Sequence, residues 1–172
     1  LRQAAAFCGV TGFRPTYGLV SRYGLVAFAS SLDQIGPLAK DTEDSAIMLN
    51  VLVGFDPLDS TSVQVENADY TKGLEQDLAG RKIGLPIDYV GKGSDEAVKE
   101  KMMDAVGQLK DLGAEIVDLS LTLMEYALPA YYIISSAEAS SNLARFDGIR
   151  YGQASRMGED LTAFYTRTRS EG

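Results

Sequence analysis

A strand-helix-strand pattern in the middle of the chain constrains the fold more than any other feature of the sequence. Residues 81–85 and 114–119 are β-type segments, and between them a helix is predicted from Ser94, as N-cap, to Leu112, with Gly113 as its stop signal. One apolar stripe follows this helix at spacings of four and three residues: Val98, Met102, Ala105, Leu109 and Leu112. Such a crossover normally pairs its strands in parallel with a right-handed connection. The pattern therefore predicts an α/β fold, with a layered sheet flanked by helices.

The remaining elements are predicted to surround this unit within a single domain over residues 1–172. We expect, in chain order, a short N-terminal helix, extended segments at 10–14 and 34–40, a helix from Asp41 to Gly54, a helix over 123–146, and a last helix from Gly158 or Glu159 through Tyr165. Pro129 should start a new turn near the beginning of the 123–146 helix. Residues 55–80 are polar and turn-rich, which indicates a surface connection.

The composition limits the partners that the chain can offer. The formal net charge is −8 and the 16 basic residues are scattered, so we expect no nucleic-acid platform on this surface. The sequence has no apolar run of about 18 residues and no signal-peptide pattern, which favours a soluble, cytoplasmic protein and leaves an organelle open. The one cysteine, Cys8, can form no internal disulfide, and we expect it to be a small apolar filler.

The chain contains no histidine. That absence excludes Ser-His-Asp and Cys-His sites built within these residues, together with histidine-ligated zinc. No acidic loop has calcium-binding spacing, and the sequence has neither a P-loop nor a dinucleotide-binding fingerprint. We therefore expect no metal and no cofactor within this chain.

A polar stripe follows one face of the predicted helix over 123–146. Its members recur at spacings of four, three, four and three residues: Tyr131, Ser135, Glu138, Asn142 and Arg145. Such a pattern more often means a solvated or helix-packing face than a site, and the spacing alone favours that interpretation. A ligand-contacting face is the alternative.

Three blocks of sequence resemble a known family. LRQAAAFCG at the start of the chain, SRYGLVAFASSLDQIGP at 21–37 and AEASSNLARFDGIRYG at 137–152 are similar to segments of the amidase signature family, and especially of the A subunits of tRNA-dependent amidotransferases. The first block departs from the family in having Ala4 or Ala5 where a proline is common. Asp33 and Gln34, in the second block, are expected to be structural.

The resemblance implies where the catalytic groups lie. These enzymes use a nucleophilic serine, a second serine joined through a cis peptide, and a lysine. The nucleophile directly precedes the residue that matches Leu1, and the other two lie further upstream. We therefore expect these residues to form an internal fragment with part of an amidase domain, without a catalytic residue of its own, and a polypeptide limited to them to be inactive.

The resemblance also implies a reaction and its partners. In the A subunits the serine hydrolyses glutamine through an acyl-enzyme and releases ammonia. A B subunit then uses ATP and magnesium to amidate Glu-tRNA(Gln) or Asp-tRNA(Asn), and a small C subunit wraps the A subunit. Glutamine is thus the expected substrate, with B and C subunits as partners and charged tRNA contacted through the B subunit. No membrane contact is expected.

Tyr131 is the substrate contact that the resemblance implies, and Gln3, Arg2 and Ser135 are further candidates. Tyr131 matches the tyrosine that lines the glutamine pocket of the A subunits, and Tyr132 is its nearest rival. A phenol at this place positions the substrate amide and is not a nucleophile. Arg2 and Gln3 begin the helix that follows the serine, and Ser135 lies on the same stripe as Tyr131. Bracing is the slightly favoured role for Arg2, as an ion-pair partner.

Two other functions stay open at this point. One is a stand-alone amidase signature hydrolase that acts on another amide, and the other is a non-catalytic truncated module that binds a partner. Dependence of activity on partner subunits and tRNA would separate the first from an amidotransferase. The preference between Glu-tRNA(Gln) and Asp-tRNA(Asn) is not encoded in any motif that we recognise.

Overall fold

The computed structural model describes residues 1–66, 69–87, 93–154 and 160–171. The chain falls into two compact units, one made of Leu1–Ala68 with Tyr131–Gly172 and the other of Asp69–Ala130. The single domain over 1–172 and the surface connection at 55–80 stay predictions.

The first unit begins with a helix and a short strand pair. Helix α1 spans Arg2–Cys8, and strand β1 at Thr11–Gly12 pairs antiparallel with strand β2 at Leu38–Ala39. The extended segments predicted at these places are confirmed but are shorter than expected. Ala5 is the buried residue of helix α1. It packs closely against Gly12 of β1, because a Cβ placed on Gly12 would lie 2.5 Å from Ala5 Cβ. Cys8, at the end of α1, is exposed, so its predicted role as an apolar filler is wrong.

Helix α2 spans Thr42–Leu52 and starts where the sequence predicts. The Asp41 carboxylate accepts a hydrogen bond from the Asp44 backbone N–H at 2.8 Å, an N-cap that stabilises a helix by about 1 kcal/mol. The helix ends two residues before the predicted Gly54, because Val53 is extended and forms a β-bridge with Val20.

The second unit contains the predicted strand-helix-strand pattern. Strand β3 (Lys82–Pro86), helix α3 (Glu96–Asp111) and strand β4 (Glu115–Leu119) follow one another, and the strands pair in parallel from Lys82 with Glu115 onward. Asp95, not Ser94, is the N-cap, since its carboxylate accepts from the Ala97 N–H at 2.9 Å. The predicted stop at Gly113 fits its φ of 91°, which glycine tolerates without a steric penalty.

The apolar stripe of α3 is not buried in this structure. Val98 is 52% exposed and Leu112 is 61% exposed, and Ala114 is the one buried apolar residue among those described in this unit. The physical reason is the width of the sheet: β3 and β4 form a two-stranded sheet, which is too narrow to cover a sixteen-residue helix.

Two further helices complete the described chain. A 3₁₀ turn at Met124–Tyr126 leads into helix α4, Ala127–Leu143, where Pro129 occupies the first turn, in which a missing N–H costs no helical hydrogen bond. Helix α5 spans Leu161–Glu171 and so continues past its predicted end at Tyr165. Its predicted start at 158–159 lies outside the described residues. Over the described ranges, no helix is both long and apolar enough to cross a membrane.

Candidate functional site

Helix α4 brings one residue of the polar stripe onto a loop 107 positions earlier in the chain. Glu138 accepts two hydrogen bonds from Ser31, one to Oε1 from the Ser31 hydroxyl at 2.5 Å and one to Oε2 from the Ser31 backbone N–H at 2.9 Å. The hydroxyl bond first, and then the backbone bond, lower the pKa of the Glu138 carboxyl, because both stabilise its charged form. Glu138 therefore fixes both the backbone and the side chain of Ser31.

Asn142, one turn further along α4, contacts the same loop. Its Nδ2 donates to the Phe28 C=O at 3.1 Å and to Ser30 Oγ at 3.0 Å. Arg145 holds the amide from the other side, since its Nη2 donates to Asn142 Oδ1 at 3.2 Å and its Nε to the Asn142 C=O at 3.0 Å. The amide is thereby oriented with its donors toward the loop.

We refer to Glu138, Asn142 and the loop at residues 28–31 as the α4 latch. It gives two members of the polar stripe the helix-packing role that the spacing alone favours. Ser135 is buried at 5% exposure, and its hydroxyl donates to the Tyr132 C=O at 3.5 Å. Tyr131 lies two turns before Glu138, is 49% exposed, and packs its ring against that of Tyr132 with centroids 5.4 Å apart. Substrate contact by Tyr131 and Ser135 stays a prediction.

Arg2 and Gln3 occupy the first turn of α1, as expected from the sequence. Both side chains are exposed, and neither makes a hydrogen bond or ion pair with another residue that the structure describes. Arg2 therefore forms no ion pair with a described residue, and its bracing role stays a prediction. Nor does a hydrogen bond link either residue to α4 within the described chain.

Arg22, which no sequence motif marks, also organises the 28–31 loop. Arg22 donates from Nη1 to the Ser30 C=O and from Nη2 to Thr61 Oγ1 at 3.0 Å, and its guanidinium lies 4.8 Å from the centre of the Tyr17 ring. The Tyr17 hydroxyl donates to the same Ser30 C=O at 2.8 Å. The planar fork of arginine suits such a site, because several donors leave it in fixed directions. The loop is thus held by α4 on one side and by Arg22 on the other.

Asp59 anchors Arg22 to the turn-rich segment after α2. Its Oδ2 accepts from the Arg22 backbone N–H at 2.8 Å and lies 3.9 Å from Arg22 Nε, and its Oδ1 accepts from the Thr61 hydroxyl at 2.7 Å. The backbone bond of Arg22 first, and then the hydroxyl bond of Thr61, lower the pKa of Asp59 to about 2. The Asp-Ser-Thr run at 59–61 is the sequence signal for this contact, but within a turn-rich segment it predicts only a surface turn.

Asp33 adds a further set of hydrogen bonds within the loop. The Asp33 carboxylate accepts from the Phe28 N–H at 2.8 Å and from the Ala29 N–H at 3.2 Å, which closes the loop and confirms its expected structural role. Among the described residues, no three Asp, Glu, Cys or His side chains come together as metal ligands would. What the arrangement does chemically is to fix the loop and α4 relative to each other.

The fold is similar to those of solved amidases and of an amidotransferase subunit, which defines the class as α/β amidases. The A subunit of the glutamyl-tRNA(Gln) amidotransferase from Thermotoga maritima matches 98% of this chain and 36% of its own, with a TM-score of 0.77 at 37% identity. The peptide amidase from Stenotrophomonas maltophilia matches 78% of this chain and 28% of its own, with a TM-score of 0.63 at 29% identity.

A family model described as Amidase matches residues 1–172, and the chain therefore belongs to the amidase family. Along its whole length it is 59% identical to the glutamyl-tRNA(Gln) amidotransferase A subunit of Thermoanaerobacter pseudethanolicus and 60% identical to that of Caldanaerobacter subterraneus subsp. tengcongensis. It spans 35% of the length of each of these relatives. The predicted amidase family and the α/β fold class are confirmed, and the similarity to amidotransferase A subunits agrees with the resemblance seen in the sequence.

Proposed function

We propose that this chain is part of the glutamine-hydrolysing A subunit of a tRNA-dependent amidotransferase. One observation carries the proposal: the identity to two A subunits is 59% and 60% over all 172 residues. The peptide amidase has the same fold but shares 29% identity over 78% of the chain. Since the fold is common to both, the higher identity over the full length favours the amidotransferase branch.

The proposed chemistry is acyl transfer to a serine. The serine oxygen attacks the side-chain amide carbon of glutamine, and the C–N bond breaks as the leaving nitrogen takes up the serine's proton and departs as ammonia. Water then releases glutamate from the acyl-enzyme. By analogy with the family, the serine precedes Leu1 directly, and the cis-linked serine and the lysine lie upstream. A polypeptide limited to these 172 residues is then expected to release no glutamate.

The partners of this reaction are proposed from the same family. Ammonia passes to a B subunit, which uses ATP and magnesium to amidate Glu or Asp on tRNA, and a C subunit wraps its partner in the cytoplasm. The formal net charge of −8 supports contact with tRNA through the B subunit rather than through this chain, because phosphate binding needs clustered cations.

Within this chain, Tyr131 is the proposed substrate contact. Its half-exposed phenol, on the same face as the α4 latch, can donate a hydrogen bond to the substrate amide and so present the carbonyl to the serine. Arg2, Gln3 and Ser135 are secondary candidates, and the buried hydroxyl of Ser135 makes it the weakest of them.

The test is Tyr131→Phe in the full-length protein purified with its partner subunits. Loss of a positioning hydroxyl is expected to lower kcat/KM for glutamine by about 10- to 100-fold. Tyr132→Phe tests the rival assignment, and Tyr126→Phe is the matched control, because Tyr126 is 60% exposed outside α4. Unchanged glutaminase kinetics for Tyr131→Phe, or a loss confined to Tyr132→Phe, would overturn the assignment.

A stand-alone amidase is the second candidate, and the likeness to the peptide amidase is the observation in its favour. That enzyme class needs neither partner subunits nor tRNA. Hydrolysis of glutamine that increases when charged tRNA and the partner subunits are added supports the amidotransferase. Equal turnover of other amides without them supports the stand-alone enzyme.

A further inference from the structure

Polar contacts, rather than apolar packing, set the position of helix α4. Among the described residues, α4 buries only Ser135 and Ala139. Two such small side chains provide contact without the interlocking shapes that specify one register, so a helix seated on them alone can slide or rotate at low cost. The α4 latch supplies the missing specification, because Glu138 fixes both polar groups of Ser31.

A continuous set of contacts leads from the α4 latch to the start of α1. Asp33 closes the 28–31 loop through the Phe28 and Ala29 N–H groups, and the Gln34 side chain donates to the Pro15 C=O. Gly36 then lies so close to the N-terminus that a Cβ placed on it would be 3.0 Å from Leu1 Cδ1. The loop that Glu138 holds is therefore connected, through residues 33–36, to Leu1, the N-cap residue of α1.

We propose that Glu138 is a positioning residue that acts through Tyr131. By fixing α4 against the 28–31 loop, it sets where the Tyr131 phenol lies relative to the start of α1. Seven residues separate Tyr131 from Glu138, which places the phenol two turns, or about 10 Å, along the same face of the helix. This inference rests on the proposed function, in which α1 follows the nucleophilic serine and Tyr131 contacts glutamine.

The test is a double-mutant cycle in the full-length protein with its partner subunits. Glu138→Gln keeps the shape of the side chain but replaces the charged carboxylate by a neutral amide, so both Ser31 bonds lose their charge assistance and the Ser31 hydroxyl must accept instead of donate. It is expected to lower kcat/KM for glutamine about tenfold. If Glu138 acts through Tyr131, the double variant with Tyr131→Phe is no slower than Tyr131→Phe alone, because the hydroxyl being positioned is already absent.

The control is Glu100→Gln in α3, since Glu100 is exposed and makes no hydrogen bond or ion pair with another described residue. It should leave kcat/KM unchanged. Multiplying losses in the double variant, with Tyr131→Phe still impaired, would overturn the positioning role and leave the proposed function intact. An unmodified complex that hydrolyses no glutamine would instead contradict the proposed function. Glu138→Asp, with a shorter carboxylate, should lose activity by a similar factor in the presence of Tyr131 and by none in the Tyr131→Phe background, whereas a merely structural role would lower kcat/KM in both backgrounds.

Discussion

In the unit Asp69–Ala130, backbone hydrogen bonds of β3, α3 and β4 define the geometry, and the side-chain bonds of Arg81 and Lys99 reach residues at most five positions away. In the other unit the strands are two residues long, and side chains hold loops to a helix across 107 to 114 positions. A regular unit is specified by local sequence, whereas the irregular unit depends on a few polar residues, which is where loops that carry function are found.

The largest expected effect is on Arg22, at the centre of the irregular unit. Arg22→Ala removes the bonds to Ser30 and Thr61 and the ion pair with Asp59, and should lower the free energy of unfolding by about 3 kcal/mol. Urea unfolding of the full-length protein measures the change. Arg81→Ala in the other unit is the control, because the Arg81 side chain makes one exposed hydrogen bond to a described residue, Gln76.

Arg22→Lys should recover part of the loss, since it retains the charge without the planar fork. If Arg81→Ala destabilises the protein as much as Arg22→Ala, the contrast between the two units is wrong.

A pH titration should act on the irregular unit next. The folded pKa of Asp59 is lowered from 3.8 to about 2, so its stabilisation is fully present above 3.8 and is lost as the pH falls through about 2. The lowered pKa of Glu138 gives its latch the same sign. The backbone N–H of Arg22 donates to Asp59, so its protection from hydrogen exchange should decline as the solution becomes acid.

Asp59→Asn removes the titrating group and should abolish that acid-dependent decline at Arg22. A decline that persists in Asp59→Asn would show that another group controls the segment.

The smallest effect is expected for the ion pair on the surface of α3. Lys99 Nζ lies 3.0 Å from Glu96 Oε2, but Glu96 is highly exposed, and exposed pairs one helical turn apart contribute about 0.3–0.5 kcal/mol. Lys99→Ala should lower the free energy of unfolding, measured in urea, by no more than that amount. A loss above about 1 kcal/mol would mean that side chains hold the regular unit as firmly as they hold the α4 latch.

The parts of the fold that sequence could predict are those with a local signal. A parallel strand pair is predicted from the α3 stripe, the stop at Gly113 and the flanking β-type segments. The ends of the predicted strands differ from the observed ends by at most one residue. The N-cap moved from Ser94 to Asp95 because both residues can cap and only the backbone turn decides between them. Periodicity marks the apolar face of α3 but not the area available to cover it, and Val98 and Leu112 on that face are exposed.

The candidate site could be predicted only in part. The spacing of Glu138 and Asn142 identified their shared face, but no periodicity reveals that Glu138 meets Ser31, 107 positions away. Arg22 was missed for the same reason, because its partners Ser30 and Thr61 lie in loops without regular structure. Long-range side-chain bonds become visible only when the chain is folded.

The most direct test of the account is to follow the amide nitrogen of glutamine. The full-length protein, purified with its partner subunits, is given glutamine with an isotopically labelled side-chain amide, together with ATP, magnesium and charged tRNA. The account predicts glutamate release and the label in the newly formed amide of the residue carried by tRNA. Glutamine left intact, or labelled ammonia released with no label transferred to the tRNA-bound residue, would contradict it.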